Sequence, residues 1–129
     1  MATENVFGTI SGEFSEAVAT QYLIAKLDTT ANEFGIADTA ATDIMVGVFQ
    51  NTGDDGDSCS IAVLGIAKVL IGTGGVSKGE RLTCEAGGSA ITTTTLDDLV
   101  LGIAMEDGDD GDVIPVFLTP GMVYHLGAT

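Results

Sequence analysis

The stretch from residue 44 to 63, IMVGVFQNTGDDGDSCSIAV, places an acidic, glycine-rich segment between two apolar runs. After that segment, Cys59, Ile61 and Val63 alternate with smaller or polar residues, which is the period of a strand with one buried face. Asp and Gly tolerate the backbone angles of tight turns, so an Asp-Gly segment between two such runs indicates a β-hairpin. The stretch therefore predicts a strand over residues 44–50, a turn and a second strand.

The same pattern occurs a second time in residues 99–118, LVLGIAMEDGDDGDVIPVFL. The pentapeptide GDDGD at residues 53–57 is identical to the one at residues 108–112, and the flanking apolar residues match in one gapless register. Two copies of a unit this long do not make a solenoid. They predict two similar β-rich halves, about residues 20–72 and 75–127, packed as one body.

Other apolar and β-branched runs predict further short strands, and no run has the period of a long amphipathic helix. These strands are expected at residues 19–27, 67–71, 81–84, 91–94 and 122–126. Single helical turns are expected at residues 38–42 and 96–99. Pro115 has no backbone donor, which indicates an edge strand or a bulge. In the gapless register Lys26 and Arg81 are equivalent, and each could neutralise a nearby acid.

These patterns predict an all-β protein, mainly β with at most short helical turns. We expect a compact body, like a β-barrel or a β-tulip, built from the two similar halves. Residues 1–15 lie outside the repeat and have few apolar anchors, so we expect an extended N-terminal arm that orders only against a neighbour or partner. Residues 16–129 are expected to form one domain, since 129 residues is the usual size of one domain.

The composition disfavours several classes of partner. The chain carries 4 Lys+Arg against 19 Asp+Glu, a formal net charge of −15 at pH 7. Phosphate backbones and anionic membranes repel such a chain, so neither nucleic acid nor a membrane is an expected partner. The N terminus has no basic region followed by an apolar run, so no signal peptide is expected. The hydrophobic content of 45% argues against disorder despite the charge.

The acidic turns are the obvious candidates for metal chemistry. Asp54, Asp55 and Asp57, or their equivalents in the second turn, could offer oxygen ligands to Ca²⁺. Their spacing is not that of an EF-hand loop, and a solvated hairpin turn accounts for them. Carboxylates in such turns stay hydrated, so we do not expect them to act as catalytic acids. The glycine-rich stretch at residues 72–75 lacks the Gly-Lys-Ser/Thr ending of a phosphate loop.

The cysteines indicate no catalytic or metal centre. Cys59 and Cys84 are expected to be reduced, partly buried thiols. His125 is the one histidine, which leaves too few ligands for zinc and a single base for a cysteine nucleophile. Nothing in the sequence places Cys84 and His125 together. We therefore expect no catalytic residue, no cofactor and no metal, and we do not expect an enzyme.

The repeated strand and turn resemble the phage capsid cement family, which consists of small head-decoration proteins. The residues that carry the resemblance are Val46-Gly47-Val48 and Leu101-Gly102-Ile103, each followed by a Gly-Asp turn and an alternating strand. The segment VSKGERL at residues 76–82 is also similar to a phrase of that family. The resemblance covers roughly residues 16–128. The long acidic turns and the duplication depart from the family pattern.

The resemblance implies a homotrimer on the outer capsid surface of the virion, made in the host cytoplasm and bound near local threefold positions. It implies that the major capsid protein is the partner and that adjacent capsid subunits are clamped together, without catalysis or cofactor. The arm could add a strand to the edge of a capsid sheet. The residues predicted to bind the capsid are Thr3, Glu4, Asn5, Val6, Phe7, Ile10 and Phe14.

Other functions remain open at this point. One is a carbohydrate- or receptor-binding β module, with or without Ca²⁺ at the acidic turns. An aromatic content of 5% and the lack of Trp disfavour it, and a Ca²⁺-dependent rise in melting temperature would favour it. A phage tail or fibre component is a close variant of the leading hypothesis. A small hydrolase that uses clustered carboxylates is the third alternative.

Overall fold

The computed structural model describes residues 5–123 and, within them, the side chains of all but Asn5, Phe7 and residues 120–123. This part of the chain forms nine strands and no helix, so the all-β prediction is confirmed. The strands are β1 (Asn5–Phe14), β2 (Ile24–Leu27), β3 (Glu33–Ile36), β4 (Met45–Phe49), β5 (Ser58–Leu70), β6 (Arg81–Cys84), β7 (Ala90–Thr92), β8 (Leu99–Ala104) and β9 (Val113–Val123).

The strands form one sheet in the order β1-β3-β2-β4-β5-β9-β8-β6-β7. β1 also pairs with β5, so the first five strands close into a small barrel. β5 is long because it serves both parts of the molecule. Its N-terminal residues pair with β1 and β4, and its C-terminal residues pair with β9. The predicted barrel-like body is therefore present, and four further strands continue from β5.

Both predicted strand–turn–strand units are present, as the antiparallel pairs β4–β5 and β8–β9. The strand predicted at residues 81–84 coincides with β6. The strand predicted at residues 19–27 begins only at Ile24, because Tyr22 adopts a left-handed backbone with φ 70°. No helix forms at residues 38–42 or 96–99, where single helical turns are expected, but isolated turns are present at residues 40–42 and 96–97. The Asp43 N–H donates to the carbonyl of Thr39 (2.9 Å) and closes the first of them. The last predicted strand is described only as far as Val123, within β9.

Most of the predicted N-terminal arm is a strand of the protein's own sheet. β1 pairs with β5 along its whole length. Phe14, at the end of β1, is fully buried, and its ring centroid lies 5.2 Å from that of Phe49. The expectation that the segment orders only against a partner is therefore wrong for residues 5–14. An intrachain ladder and a buried aromatic anchor supply the order. Residues 1–4 lie outside the described residues.

The two halves use the same strand pairing, with a register that drifts relative to the gapless sequence comparison. Ala25 lies opposite Gly47 in the first half, and Leu82 lies opposite Gly102 in the second. Gly102 of the second half corresponds to Gly47 of the first half. Leu82, the strand partner of Gly102, therefore corresponds to Ala25, the strand partner of Gly47. It follows that Lys26 and Arg81 do not occupy equivalent positions. Turns of different length between the strands shift the register, and a gapless comparison cannot show this shift.

The pairing also gives β1 a counterpart in the second half. The Phe14 N–H donates to the carbonyl of Asp57 (2.9 Å), and the Ile71 N–H donates to the carbonyl of Asp112 (2.8 Å). Since Asp57 and Asp112 end the two identical turns, Phe14 and Ile71 have the same role. The end of β5 therefore opens the second unit as β1 opens the first. The structural unit includes β1, which the sequence comparison left outside.

The core consists of two clusters of buried residues. The smaller cluster fills the first barrel and includes Phe14, Val18, Leu23, Ala25, Phe34, Phe49, Cys59 and Ile61. The larger cluster joins residues of the second half, such as Leu82 and Val116, to Ile24, Val48 and Ala62 of the first. Because one cluster contains residues of both halves, the halves share a core.

Pro115 is not on an edge strand, contrary to the prediction. It lies in β9, which has β5 on one side and β8 on the other. Its carbonyl accepts the N–H of Met105 (3.0 Å), one residue beyond the end of β8. The backbone N–H that Pro115 lacks would therefore be needed only at the point where the ladder between β8 and β9 ends. A central strand tolerates the proline for that reason.

The surroundings of Gly47 and Gly102 explain why each of the two apolar motifs contains a glycine. A Cβ atom at Gly47 would collide with the carbonyl oxygen of Ala62, and one at Gly102 with that of Phe117. Both obstacles are backbone atoms of the neighbouring strand, so they cannot move aside as a flexible side chain could. Glycine is therefore required where each pair of strands approaches most closely.

Candidate functional site

The acidic turns are closed by their own side chains. In the first turn the Asp54 N–H donates to the carboxylate of Asp57 (2.9 Å), and the Asp57 N–H donates back to the carbonyl of Asp54 (3.0 Å). Asp109 and Asp112 make the same two bonds, each 2.9 Å long. The glycine inside each turn has φ near +90°, which favours glycine. These residues therefore build the hairpins, as the sequence indicated.

The aspartates of these turns are not arranged around a common centre. Among residues 5–123, no group of three or more His, Cys, Asp and Glu side chains is placed to hold a metal ion. The last aspartate of each turn already accepts a backbone N–H with its carboxylate. The described geometry thus gives Ca²⁺ no preformed cage of the kind that it requires.

The two thiols are separate and buried. Cys59 and Cys84 are free, and both lie in the core. Burial raises the pKa of Cys59. Burial also raises the pKa of Cys84 to about 11, and the carboxylate of Asp43 contributes in the same direction. A thiol with a raised pKa holds little of the reactive thiolate at neutral pH. His125, the one base considered for Cys84, lies outside the described residues.

The residues predicted to bind the capsid have different environments. Thr3 and Glu4 lie outside the described residues, and the side chains of Asn5 and Phe7 are not described. The structure places the remaining three on β1. Val6 is half-buried against the larger core cluster, and Ile10 is 38% exposed. Phe14 is 0% exposed. Of these three, Ile10 is the side chain that a partner can reach best, and Phe14 belongs to the core.

One ion pair supports the first half. The ammonium of Lys26 lies 3.7 Å from the carboxylate of Asp43, which also accepts the N–H groups of Asp38 (2.9 Å) and Thr39 (3.0 Å). Burial by itself would raise the pKa of Asp43. The two N–H donors and Lys26 outweigh that effect and hold the pKa below its ordinary value of 3.8. Lys26 thus lies beside an acid of its own half.

An open depression of about 550 Å³ lies where the second half begins. Two of its three acidic side chains, those of Glu80 and Asp107, accept hydrogen bonds from the protein. The carboxylate of Glu80 accepts the Ser77 N–H (2.7 Å) and the Thr92 hydroxyl (2.8 Å), and that of Asp107 accepts the Lys78 N–H (2.8 Å). These bonds fix the loop that leads into β6. The carboxylates of Glu80 and Asp107 in this depression therefore hold backbone groups of the loop.

Several large apolar side chains are exposed. They are Ile10, Leu27, Ile44, Leu64, Leu96, Met105, Val113 and Phe117. Phe117 is 46% exposed on β9, directly opposite Ile103 of β8 and Ile66 of β5. Sequence reasoning did not single out Phe117. The signal was present, because residues 113–118 are apolar in both phases of the strand, although only one face of β9 can lie in the core.

The protein is therefore small and all-β, and the polar groups named above stabilise its turns and ladders. No helix of the described chain is long and apolar enough to cross a membrane. A sequence model of the phage cement protein family matches residues 16–119. The chain therefore belongs to the phage cement protein family, and it is a structural protein of the phage virion.

The comparison with solved structures agrees with this fold. The chain is similar to a structure described as the head fiber gp8.5 N base in bacteriophage phi29, with a TM-score of 0.68 and 20% sequence identity. The match covers 92% of this chain and 98% of the other. No curated protein sequence matches the chain significantly.

Proposed function

We propose that this protein decorates the outer surface of the phage head and stabilises it by clamping adjacent subunits of the major capsid protein. The family match over residues 16–119 carries the proposal. The proposed role is structural, and it includes no catalysed reaction, no bound cofactor and no contact with nucleic acid or membrane. The proposed form on the head is a homotrimer at local threefold positions.

The proposed capsid-binding surface is formed by β1 and the residues before it. It comprises Thr3, Glu4, Asn5, Val6, Phe7 and Ile10. Phe14 is left out because its ring is buried in the barrel. β1 has β5 along its length on one side, and it meets β3 only at Glu13 and Phe14. A strand with an edge that is mostly unpaired can add to a partner sheet through backbone hydrogen bonds.

The net charge of −15 supports the same role. It keeps free trimers soluble and prevents them from associating with one another, and it favours a capsid surface with exposed Lys or Arg.

The test is co-sedimentation of the purified protein with heads stripped of it. We expect saturable binding at three copies per site and a weaker affinity for Ile10→Asp. The matched control is Val113→Asp, because Val113 is 37% exposed and Ile10 is 38% exposed. Deletion of residues 1–14 is unsuitable, since it removes the buried Phe14. Absence of binding by the wild-type protein at low salt would refute the proposal.

A second candidate is a role at the base of a head fibre, a variant of the tail or fibre alternative. The observation that favours it is the match to a structure described as a head fiber base. Electron microscopy of heads carrying this protein separates the two candidates. A cement layer covers equivalent sites across the head, whereas a fibre base is followed outward by extended density.

No observation on the described residues favours the Ca²⁺-assisted binding module. The measurement that decides it is the melting temperature with and without millimolar Ca²⁺. We expect no change, because a ligand stabilises the native state only if it binds there. A clear rise in melting temperature would restore that alternative.

We also infer that residues 16–129 form one domain together with β1, and that this domain contains an internal duplication. The two identical turns, the matching pairs Ala25–Gly47 and Leu82–Gly102, and the shared core support this inference.

A further inference from the structure

One face of the second half carries a row of three apolar side chains, Ile103, Phe117 and Ile66, with Arg81 at one end. Arg81 of β6, Ile103 of β8, Phe117 of β9 and Ile66 of β5 lie directly opposite one another across four neighbouring strands. Directly paired residues point to the same face of a sheet, so these side chains form one continuous row. Phe117 is 46% exposed, Arg81 is exposed, and Ile103 and Ile66 are half-buried. The large aromatic side chain at the centre of the row is thus only partly covered.

The first half contains the same row, and there it is covered. Ile24, Val48 and Ala62 are paired across β2, β4 and β5 in the register that pairs Arg81, Ile103 and Phe117 in the second half. All three residues of the first row are 0% exposed.

The cover comes from the second half. Ile24, Val48 and Ala62 belong to the core cluster that includes Leu82 and Val116, and β4 lies against β8 and β9. The outer face of the first unit is therefore an internal interface with the unit that follows it.

We propose that the row formed by Ile103, Phe117 and Ile66 packs against a second copy of this chain. The same face of the first unit is already an interface with a following unit, and the described chain supplies no third unit to cover the second row. The two rows also differ in size, since Phe117 replaces the small Ala62. A large aromatic residue at the centre of an open apolar face is the usual anchor of a protein interface.

Such a contact is heterologous, because the row on one copy meets a different surface on the next. A heterologous contact closes into a ring when the rotation between copies permits it. This inference rests on the homotrimer of the proposed function and names the surface through which the copies meet, but it does not require capsid binding. It also predicts an opposite dependence on salt. Copies that each carry a charge of −15 repel one another, so added salt strengthens self-association, whereas it weakens attachment to a basic capsid surface.

The first experiment compares self-association by sedimentation equilibrium in 0.15 M and 1 M salt. We expect the wild-type protein to associate, with an affinity that does not fall at high salt. Phe117→Asp should weaken self-association about thirtyfold or more, as the loss of an interface anchor does. Leu96→Asp is the matched control, since Leu96 is 47% exposed and lies in a turn outside the four strands of the row, and it should associate like the wild type. A monomeric wild type, or equal behaviour of the two variants, would overturn the inference.

A second variant keeps the test informative if Phe117→Asp fails to fold. The chain contains no Trp, so Phe117→Trp introduces a single fluorescent reporter. We expect its emission to shift to the red on dilution as the row becomes exposed, while Leu96→Trp emits in the red at every concentration. Emission from Phe117→Trp that is independent of concentration would contradict the inference.

Binding to stripped heads separates this inference from the proposed function. If Phe117→Asp self-associates normally but no longer binds heads, the capsid covers the row and the inference is wrong. If the wild-type protein self-associates through the row and yet binds no heads, the inference stands and the proposed function fails.

Discussion

At the residue scale, the two halves keep the residues that set backbone geometry and vary those that fill space. The glycine of each apolar motif recurs because the backbone of the neighbouring strand leaves no room for a Cβ atom, and the glycine inside each turn recurs because its φ is positive. The aspartates that close each turn recur because they make the same hydrogen bonds in both halves. Ala62 and Phe117 hold equivalent positions and differ greatly in size. Side chains diverge where the surroundings of the two halves differ.

Gly102→Ala is expected to destabilise the protein by about 2–3 kcal/mol, because the new methyl group meets the carbonyl of Phe117 and the strands must separate. Urea unfolding at neutral pH measures this loss. Gly8→Ala is the control: its Cβ meets the flexible side chain of Leu64, so the loss should be smaller. Equal losses for the two variants would show that close strand approach is not the reason for the glycine.

Asp43→Ala is expected to reduce stability at neutral pH by about 1–3 kcal/mol, because two backbone N–H groups lose a charged acceptor. The pKa of Asp43 is lowered in the folded protein from 3.8, so its contribution is present above pH 3.8 and is lost as the pH falls through the lower folded value. The difference between wild type and variant should therefore shrink in strong acid.

Unfolding by urea from pH 7 down to pH 2 measures this dependence. Asp55→Ala, at an exposed position in the first acidic turn, is the charge-matched control and should have little effect at either end. A stability difference for Asp43→Ala that is constant over this range would contradict the assignment.

At the scale of the strands, the central fact is that β5 belongs to both units. Its first residues return from the first acidic turn to complete one barrel, and its last residues open the second unit as β1 opens the first. A substitution that disrupts β5 is thus expected to destabilise both halves together. The same reasoning makes β1 a structural strand, whatever its exposed edge contacts.

Phe14→Ala is expected to destabilise the protein by about 3–5 kcal/mol, since a fully buried aromatic ring is removed from the first barrel. Thermal or urea unfolding of the free protein, with no capsid present, measures this effect. Ile10→Ala on the same strand is the control and should change stability by less, because Ile10 is 38% exposed. An unchanged stability for Phe14→Ala would mean that β1 does not pack on the barrel in solution.

At the scale of the whole molecule, the charge of −15 acts on every encounter with a partner. In the proposed attachment to a capsid with basic surface groups, this charge would steer binding and salt would screen it, with a Debye length of about 8 Å at 0.15 M.

The affinity for stripped heads is therefore expected to fall by about tenfold or more between 0.05 M and 0.5 M salt. Sedimentation of heads with labelled protein measures this affinity. The control is an uncharged osmolyte at the same osmolarity. An affinity independent of salt would mean that charge does not contribute to attachment.

Much of the fold could be predicted from local patterns. The alternation of apolar residues and the two GDDGD turns specify short strands and hairpins, because these depend on contacts between residues close in the chain. The β6 strand and both hairpins were predicted on that basis, and the resemblance to cement proteins rested on the same residues. The interpretation of the acidic segments as solvated hairpin turns also followed from their local spacing.

Contacts between distant residues decided the rest. The pairing of β1 with β5, the central position of Pro115 and the shifted register of β2 and β6 each depend on which strands meet across the chain. The burial of Ala62 beside the exposure of Phe117 is of the same kind, since it depends on which half covers which face. The sequence by itself determined several of the strands, the two acidic turns and the family of this protein. Only the tertiary structure decided which faces stay open, because burial is a property of packed neighbours and not of the local pattern.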